Sequence, residues 1–136
     1  MAAAQTGNPV DQWLGTGIRF PFLPTGEHGG LDWLSGMELV RQSIETILDT
    51  EPGERVMLPT FGCGLRRYLM EPNTVAVRTA MQRDIEDALR VWEPRFRVVE
   101  VRVTPGEEPT LVYLDISYVR LLDLRADNLV YPFRLQ

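Results

Sequence analysis

From Ser35 onward hydrophobic periodicity changes once, and the change falls at Trp92-Glu93-Pro94-Arg95. Before it, apolar residues recur at helical spacing; from Val99 onward they alternate one by one. A pattern of period 3.6 does not lie flat as a strand, and an alternating pattern does not make one helix face. Helices therefore come first and strands second. That order predicts an α+β domain in which two main helices pack on one face of a small antiparallel or mixed sheet.

The first helix is expected to start at Ser35, where Ser35-x-x-Glu38 reads as a capping box. Val40, Ile44, Ile47 and Leu48 form its buried stripe, and Pro52-Gly53 ends it. Glu54 to Pro59 reads as short and extended, Phe61-Gly62-Cys63-Gly64 as a tight turn, and Leu65 to Met70 as a brief helical stretch. The second helix, with Asn73 as its N-cap, carries Val77, Met81, Ile85, Ala88, Leu89 and Trp92 on one face over about 19 residues, roughly 28 Å. Val99, Val101 and Val103 then alternate opposite Val112, Leu114, Ile116 and Tyr118, a long hairpin turning at Pro105-Gly106. Leu129, Tyr131, Phe133 and Leu135 form a last alternating run. Pro132 lacks an N–H, which confines that strand to a sheet edge.

At the other end, Ile18 to Phe22 alternates but contains Pro21, so it reads as edge-like or irregular, and Thr25 to Gly30 as a loop. Residues 1–16 are small and polar and are broken by Gly7, Pro9 and Gly15. They read as an arm, flexible or ordered by a partner, with no contribution to the core. Residues 17–136 read as one domain, the size class to which 136 residues belong.

Charge and composition remove several classes of function. The 14 basic residues, all Arg, are outnumbered by 19 acidic ones, for a net charge of −5. A nucleic-acid binder that works by displacing counterions needs the opposite balance. No apolar run approaches the roughly 20 residues that span a bilayer, and the expected setting is a soluble chain made in the cytoplasm. One cysteine, Cys63, and one histidine, His28, supply neither an internal disulfide nor a zinc ligand set. No cofactor and no metal are expected.

Three constellations carry chemistry. Cys63 on its glycine turn would be a nucleophile if His28 met it as a base, although the two are far apart in sequence. Glycoside cleavage would need two carboxylates facing each other across a cleft. Glu51 with Glu54 and Glu107 with Glu108 are the nearest candidates, and no catalytic residue follows from either. Glu93-Pro94-Arg95 is more informative, because Pro94 disfavours helix at Glu93 and the tripeptide is expected to project both charges at the helix-to-hairpin corner.

Taken in order, Gly17, Phe20-Pro21, the helix from Glu38 to Leu48, Thr50-Glu51-Pro52-Gly53-Glu54-Arg55, Pro59, Phe61-Gly62 and Trp92-Glu93-Pro94-Arg95 before a hairpin resemble the phage baseplate wedge and sheath-initiator family. That family includes TssE of type VI secretion and its equivalents in R-type bacteriocins and extracellular contractile injection systems. The likeness covers residues 17 to 120. It implies a structural protein without enzymatic activity, in six copies, assembled in the bacterial cytoplasm into a baseplate. It also implies wedge proteins and the sheath protein as partners, with tube or hub proteins nearby, and no nucleic acid or membrane. Glu93, Pro94 and Arg95 would bind the wedge partner, while Gly53, Glu54, Arg55, Pro59, Phe61 and Gly62 would hold a structural loop. The edge strand bearing Leu129, Tyr131, Phe133 and Leu135 would take part in strand exchange that templates the sheath. A lysozyme-like enzyme and a generic adaptor or dimerisation domain are the alternatives.

Overall fold

The computed structural model describes residues 9–24 and 29–135, and the chain divides into two compact units, Met1–Ser43 and Ile44–Gln136. The first unit holds a short helix α1 (Pro9–Gln12) and an antiparallel ribbon of β1 (Thr16–Ile18) and β2 (Trp33–Ser35). It also holds residues 36–43 of helix α2 (Gly36–Asp49). A Cβ on Gly17, in the ribbon, would lie 2.6 Å from a terminal methyl of Leu39, so a larger residue there would push that side chain aside. Leu14 is 5% exposed, so the segment before residue 17 does contribute to a core, against expectation. Of the proposed arm, residues 1–8 lie outside the described residues, as do 25–28 of the loop before β2.

Helix α2 begins one residue after Ser35 and buries Val40, Ile44, Ile47 and Leu48, as their spacing predicts. The capping box does not form: Ser35 is paired with Thr16 in the ribbon, and the Glu38 carboxylate accepts from Arg19 at 3.3 Å. Gln42 closes the ribbon onto the helix, its Oε1 accepting from Phe20 N–H at 2.8 Å and its Nε2 donating to Ile18 O at 2.9 Å.

The second unit is built on a three-stranded antiparallel sheet in the order β3 (Phe96–Pro105), β4 (Leu111–Arg120), β5 (Ala126–Arg134). Helix α3 (Val75–Trp92) packs against β3 and buries Met81, Ile85 and Leu89 completely. Each such side chain contributes about 1.5 to 3 kcal/mol. Its N-cap is Thr74, whose Oγ1 accepts from Val77 N–H at 3.3 Å, and not Asn73. Asn73 is engaged elsewhere: Oδ1 accepts from Arg78 at 2.7 Å and Nδ2 donates to Pro109 O at 3.1 Å.

The hairpin forms where alternation places it, with one departure. The register shifts between Val98 and Glu100, a bulge that turns Val99 outward to 60% exposure, so Phe96 and Val101 line the core in its place. A bulge adds a residue and reverses the face of whatever follows, which strict alternation cannot anticipate. β5 bonds only to β4 and is an edge strand.

Strand β4 ends on Arg120, 1% exposed, in line with the buried Val112, Leu114, Ile116 and Tyr118. Its guanidinium meets the Asp123 carboxylate in a two-pronged pair, Nε to Oδ1 at 2.7 Å and Nη2 to Oδ2. Hydrogen bonding to Arg120, then to the Arg125 N–H, holds Asp123 down to about 2. A carboxyl lowered in the folded state stabilises above its ordinary value of 3.8, and that contribution disappears as pH falls through about 2. Melting temperature measured against pH should therefore show wild type well above Asp123→Asn at pH 5 to 7, with the two curves converging towards pH 2.

Candidate functional site

Three surfaces carry the residues singled out by sequence: a loop from Thr50 to Arg66, the corner at residues 93–95, and strand β5. The loop is not extended between Glu54 and Pro59. Successive turns fold it, with Glu54 N–H donating to Glu51 O (3.1 Å), Leu58 N–H to Arg55 O (3.4 Å) and Phe61 N–H to Leu58 O (3.1 Å). Pro52 and Gly53 start that path, Gly53 at φ +96°, and Pro59 lies exposed in the last turn.

Two carboxylates tie the loop together. Glu54 accepts from Glu51 N–H at 3.2 Å and pairs with Arg66 at 2.7 Å, while Glu51 Oε1 accepts the Arg66 N–H at 2.9 Å. That last bond opens the 3-10 turn Leu65–Tyr68, so both acids serve the backbone of their own loop. Arg66 is the partner that sequence reading missed, because its distance along the chain hides the contact. Arg55 lies over the Phe61 ring, 3.9 Å from its centre, and Phe61 meets Trp92 edge-on at 5.1 Å. The loop is thereby fastened to the last residue of α3.

Gly62 closes the loop. Cys63 N–H donates to Thr50 O at 3.1 Å, and the approach is so close that a Cβ on Gly62 would fall 2.2 Å from that oxygen. Its φ of +123° also favours glycine. Gly62→Ala should cost about 3 kcal/mol or more, read as a lowered urea midpoint, with an unchanged midpoint refuting the closure.

Cys63 itself is buried, and burial, then the nearby Asp84 carboxylate, pushes its thiol up to about 12. A thiol held protonated is a poor nucleophile; His28 lies outside the described residues. Of the other carboxylate pair, Glu108 accepts from Arg134 at 2.9 Å.

The corner differs from expectation in one respect. Glu93 does not project: it is 2% exposed and its N–H completes α3 on Leu89 O at 3.0 Å. Arg95 grips it in a fork, Nε to Oε1 at 2.6 Å with Nη2 on Oε2, and Pro94 between them is exposed. Pro94 bends the chain so that residues two apart can pair. The charge of Glu93 is thus neutralised inside the molecule, and it orients the Arg95 side chain. Beside the corner lies a groove of about 360 Å³ lined by Pro94, Phe96, Val98, Val99 and Leu121 together with Arg90. Removing one member of a buried pair leaves the other uncompensated. Arg95→Ala should lose about 2 to 3 kcal/mol in chemical denaturation, and Arg95→Lys, which keeps the charge without the fork, should lose less.

On β5, Leu129, Tyr131 and Phe133 are half-buried on the core side and Leu135 is buried. The Tyr131 hydroxyl donates to Asp49 at the end of α2, and burial followed by that carboxylate pushes the phenol upward. Leu135 O accepts from Met70 N–H at 2.6 Å, which pins the strand's end.

The family model for baseplate wedge protein gp25 matches residues 34–124. The baseplate wedge protein gp25 of Enterobacteria phage T4 is 31% identical over 83 residues, 61% of this chain and 63% of that protein. The chain thus spans less than two thirds of that relative's length. A protein of Geobacter sulfurreducens described as a tail lysozyme superposes with a TM-score of 0.68 at 35% identity, over 74% of this chain and 91% of its own. A chain of the 6-fold symmetrised baseplate of the anti-feeding prophage gives 0.68 at 22% identity, over 95% and 92%, a likeness of fold.

Proposed function

The chain belongs to the baseplate wedge protein gp25 family, and from that membership we propose that it is a structural part of a contractile tail or injection machine, joining wedge proteins to the first sheath ring. The observation that carries this reading is the fate of the carboxylates. Glu51, Glu54, Glu93 and Glu108 each bind an arginine or a backbone N–H of this chain. Groups so engaged build surfaces and are not poised for acid-base chemistry. The lysozyme alternative would have to recruit them.

The corner is the seat for the wedge partner. Pro94, the guanidinium of Arg95 and the groove beside them form a rigid feature, with Glu93 acting from beneath by orienting Arg95. Val99 and Leu121, 60% and 53% exposed, supply apolar contact at the groove's rim. The residues from 50 to 66 brace it through Phe61 and Trp92. Residues 17–136 act as one baseplate domain. Six copies are supported by the 6-fold baseplate in which a fold neighbour sits. Assembly takes place in the bacterial cytoplasm, with tube or hub proteins as further neighbours. Strand β5, an edge with an apolar inner side, presents the sheet on which the first sheath subunits form.

Leu121→Asp places a charge at the groove's rim, where it meets water in the isolated protein. It should melt within a few degrees of wild type yet fail to co-purify with wedge proteins from cells producing the whole baseplate. Recovery of wedge proteins at wild-type yield would remove the corner from the interface.

A further inference from the structure

Antiparallel pairing alternates residues that bond the neighbouring strand with residues whose N–H and C=O point away from it. Both ends of β5 reveal the phase. Arg120 N–H donates to Arg125 O at 2.9 Å, and Leu135 N–H donates to Thr110 O at 2.7 Å. The register between these bonds is unbroken. Odd-numbered residues therefore bond to β4, while Ala126, Asn128, Val130, Pro132 and Arg134 turn their peptide groups to the open edge. Asn128 agrees, since its N–H donates to Asp127 Oδ1 at 2.9 Å and not to β4. Pro132 has no N–H at all. At the centre of the edge, residues 128, 130 and 132 offer three carbonyls, but Val130 alone offers an N–H.

We propose that this shortage of donors makes β5 an acceptor for a strand from a different protein and a poor partner for a second copy of itself. It rests on the reading of β5 as the template strand. When two copies pair antiparallel about Val130, Asn128 of one faces Pro132 of the other, twice over. Pro132 has no N–H and that of Asn128 is given to Asp127, so between residues 128 and 132 carbonyl opposes carbonyl and only the two bonds of the Val130 pair form. A foreign strand with all its N–H groups makes four bonds over the same stretch: one to each of the three carbonyls and one from Val130 N–H. The half-buried Leu129, Tyr131 and Phe133 set its chemistry further, asking for apolar residues on their side, polar residues on the side of Asn128, and no proline opposite residues 128, 130 and 132.

The other edge is less suited. β3 is interrupted by the bulge at Val98 to Glu100 and ends on Pro105, leaving no comparable unbroken run. Unpaired edges invite pairing of like with like, and natural sheets carry devices against it. Here the device is a missing donor that costs a foreign strand little and a second copy twice as much.

The full-length chain carrying Pro132→Val regains an N–H that self-pairing uses twice. Sedimentation should show its self-association tightened by about tenfold or more over wild type, the effect of two added hydrogen bonds. Val130→Pro removes an N–H that the fold does not use, and baseplates containing it should start sheath about three- to tenfold less often. If Pro132→Val associates no more than wild type, the donor shortage is not the control and the proposal is overturned, even where Val130→Pro stops sheath growth and keeps the template reading intact. If Pro132→Val associates as expected while Val130→Pro baseplates start sheath normally, exclusion of self stands and the template reading falls. Should Val130→Pro fail to fold, the Pro132→Val result decides the matter alone.

Discussion

The Thr50 carbonyl and the missing side chain of Gly62 hold the second unit's loop in place, and much else follows from that approach. Cys63 N–H reaches Thr50 O only because nothing projects from Gly62. Once it does, Phe61 is delivered to the Trp92 ring, Arg55 covers Phe61, and Glu51 can accept the Arg66 N–H that starts the 3-10 turn. Trp92 is the last residue of α3, and the chain turns at Glu93 directly after it. The position of the corner is thus set from two directions, by the helix that ends there and by the loop that packs on its final ring.

Buried charge in this protein works mainly on geometry. The Glu93–Arg95 and Arg120–Asp123 forks have the same form: one member is almost fully buried and the partner lies two or three residues away. An isolated buried charge is strongly unfavourable, whereas a forked pair with its hydrogen bonds satisfied is close to neutral. Such pairs therefore add little to stability while making alternative conformations expensive. Both stand at strand ends, Glu93–Arg95 ahead of β3 and Arg120–Asp123 after β4, where the chain must turn sharply. Arginine suits the task because its fork fixes direction as well as charge.

Much of this was readable before any coordinates. The switch from helical to alternating spacing located α2, α3, the hairpin and the edge position of β5, because each depends on local pattern and on what proline cannot do. The misreadings have a common origin. Val99 faces outward because one extra residue at the bulge shifts the phase, and bulges leave no mark in an alternating run. Asn73 is not the cap because Arg78 and Pro109 compete for its side chain. Glu93 reads as a displayed charge until the bend at Pro94 brings Arg95 back over it. The short strand β2 has no pattern of its own and exists through pairing with β1. Each depends on a partner that is distant in sequence or on a backbone path that composition does not encode. The resemblance to the baseplate family rests on the loop and corner motifs and carries no information on what those residues touch.

That distinction bears on how the family's loop and corner motifs should be understood. In an enzyme, a charged residue set at a corner would ordinarily meet a substrate. Here the acid of the Glu-Pro-Arg tripeptide is enclosed, the arginine is half-buried over it, and the proline is exposed. If the corner docks a partner, as proposed, that partner meets an arginine already oriented, so less side-chain freedom remains to be lost on binding. Because Glu93 neutralises that arginine from within, the docking surface also need not supply a carboxylate of its own. Shape, the proline and the apolar rim at Val99 and Leu121 are then left to discriminate. A surface recognised in that way suits an assembly whose subunits must meet in one orientation, since orientation is what a rigid, internally satisfied corner can specify.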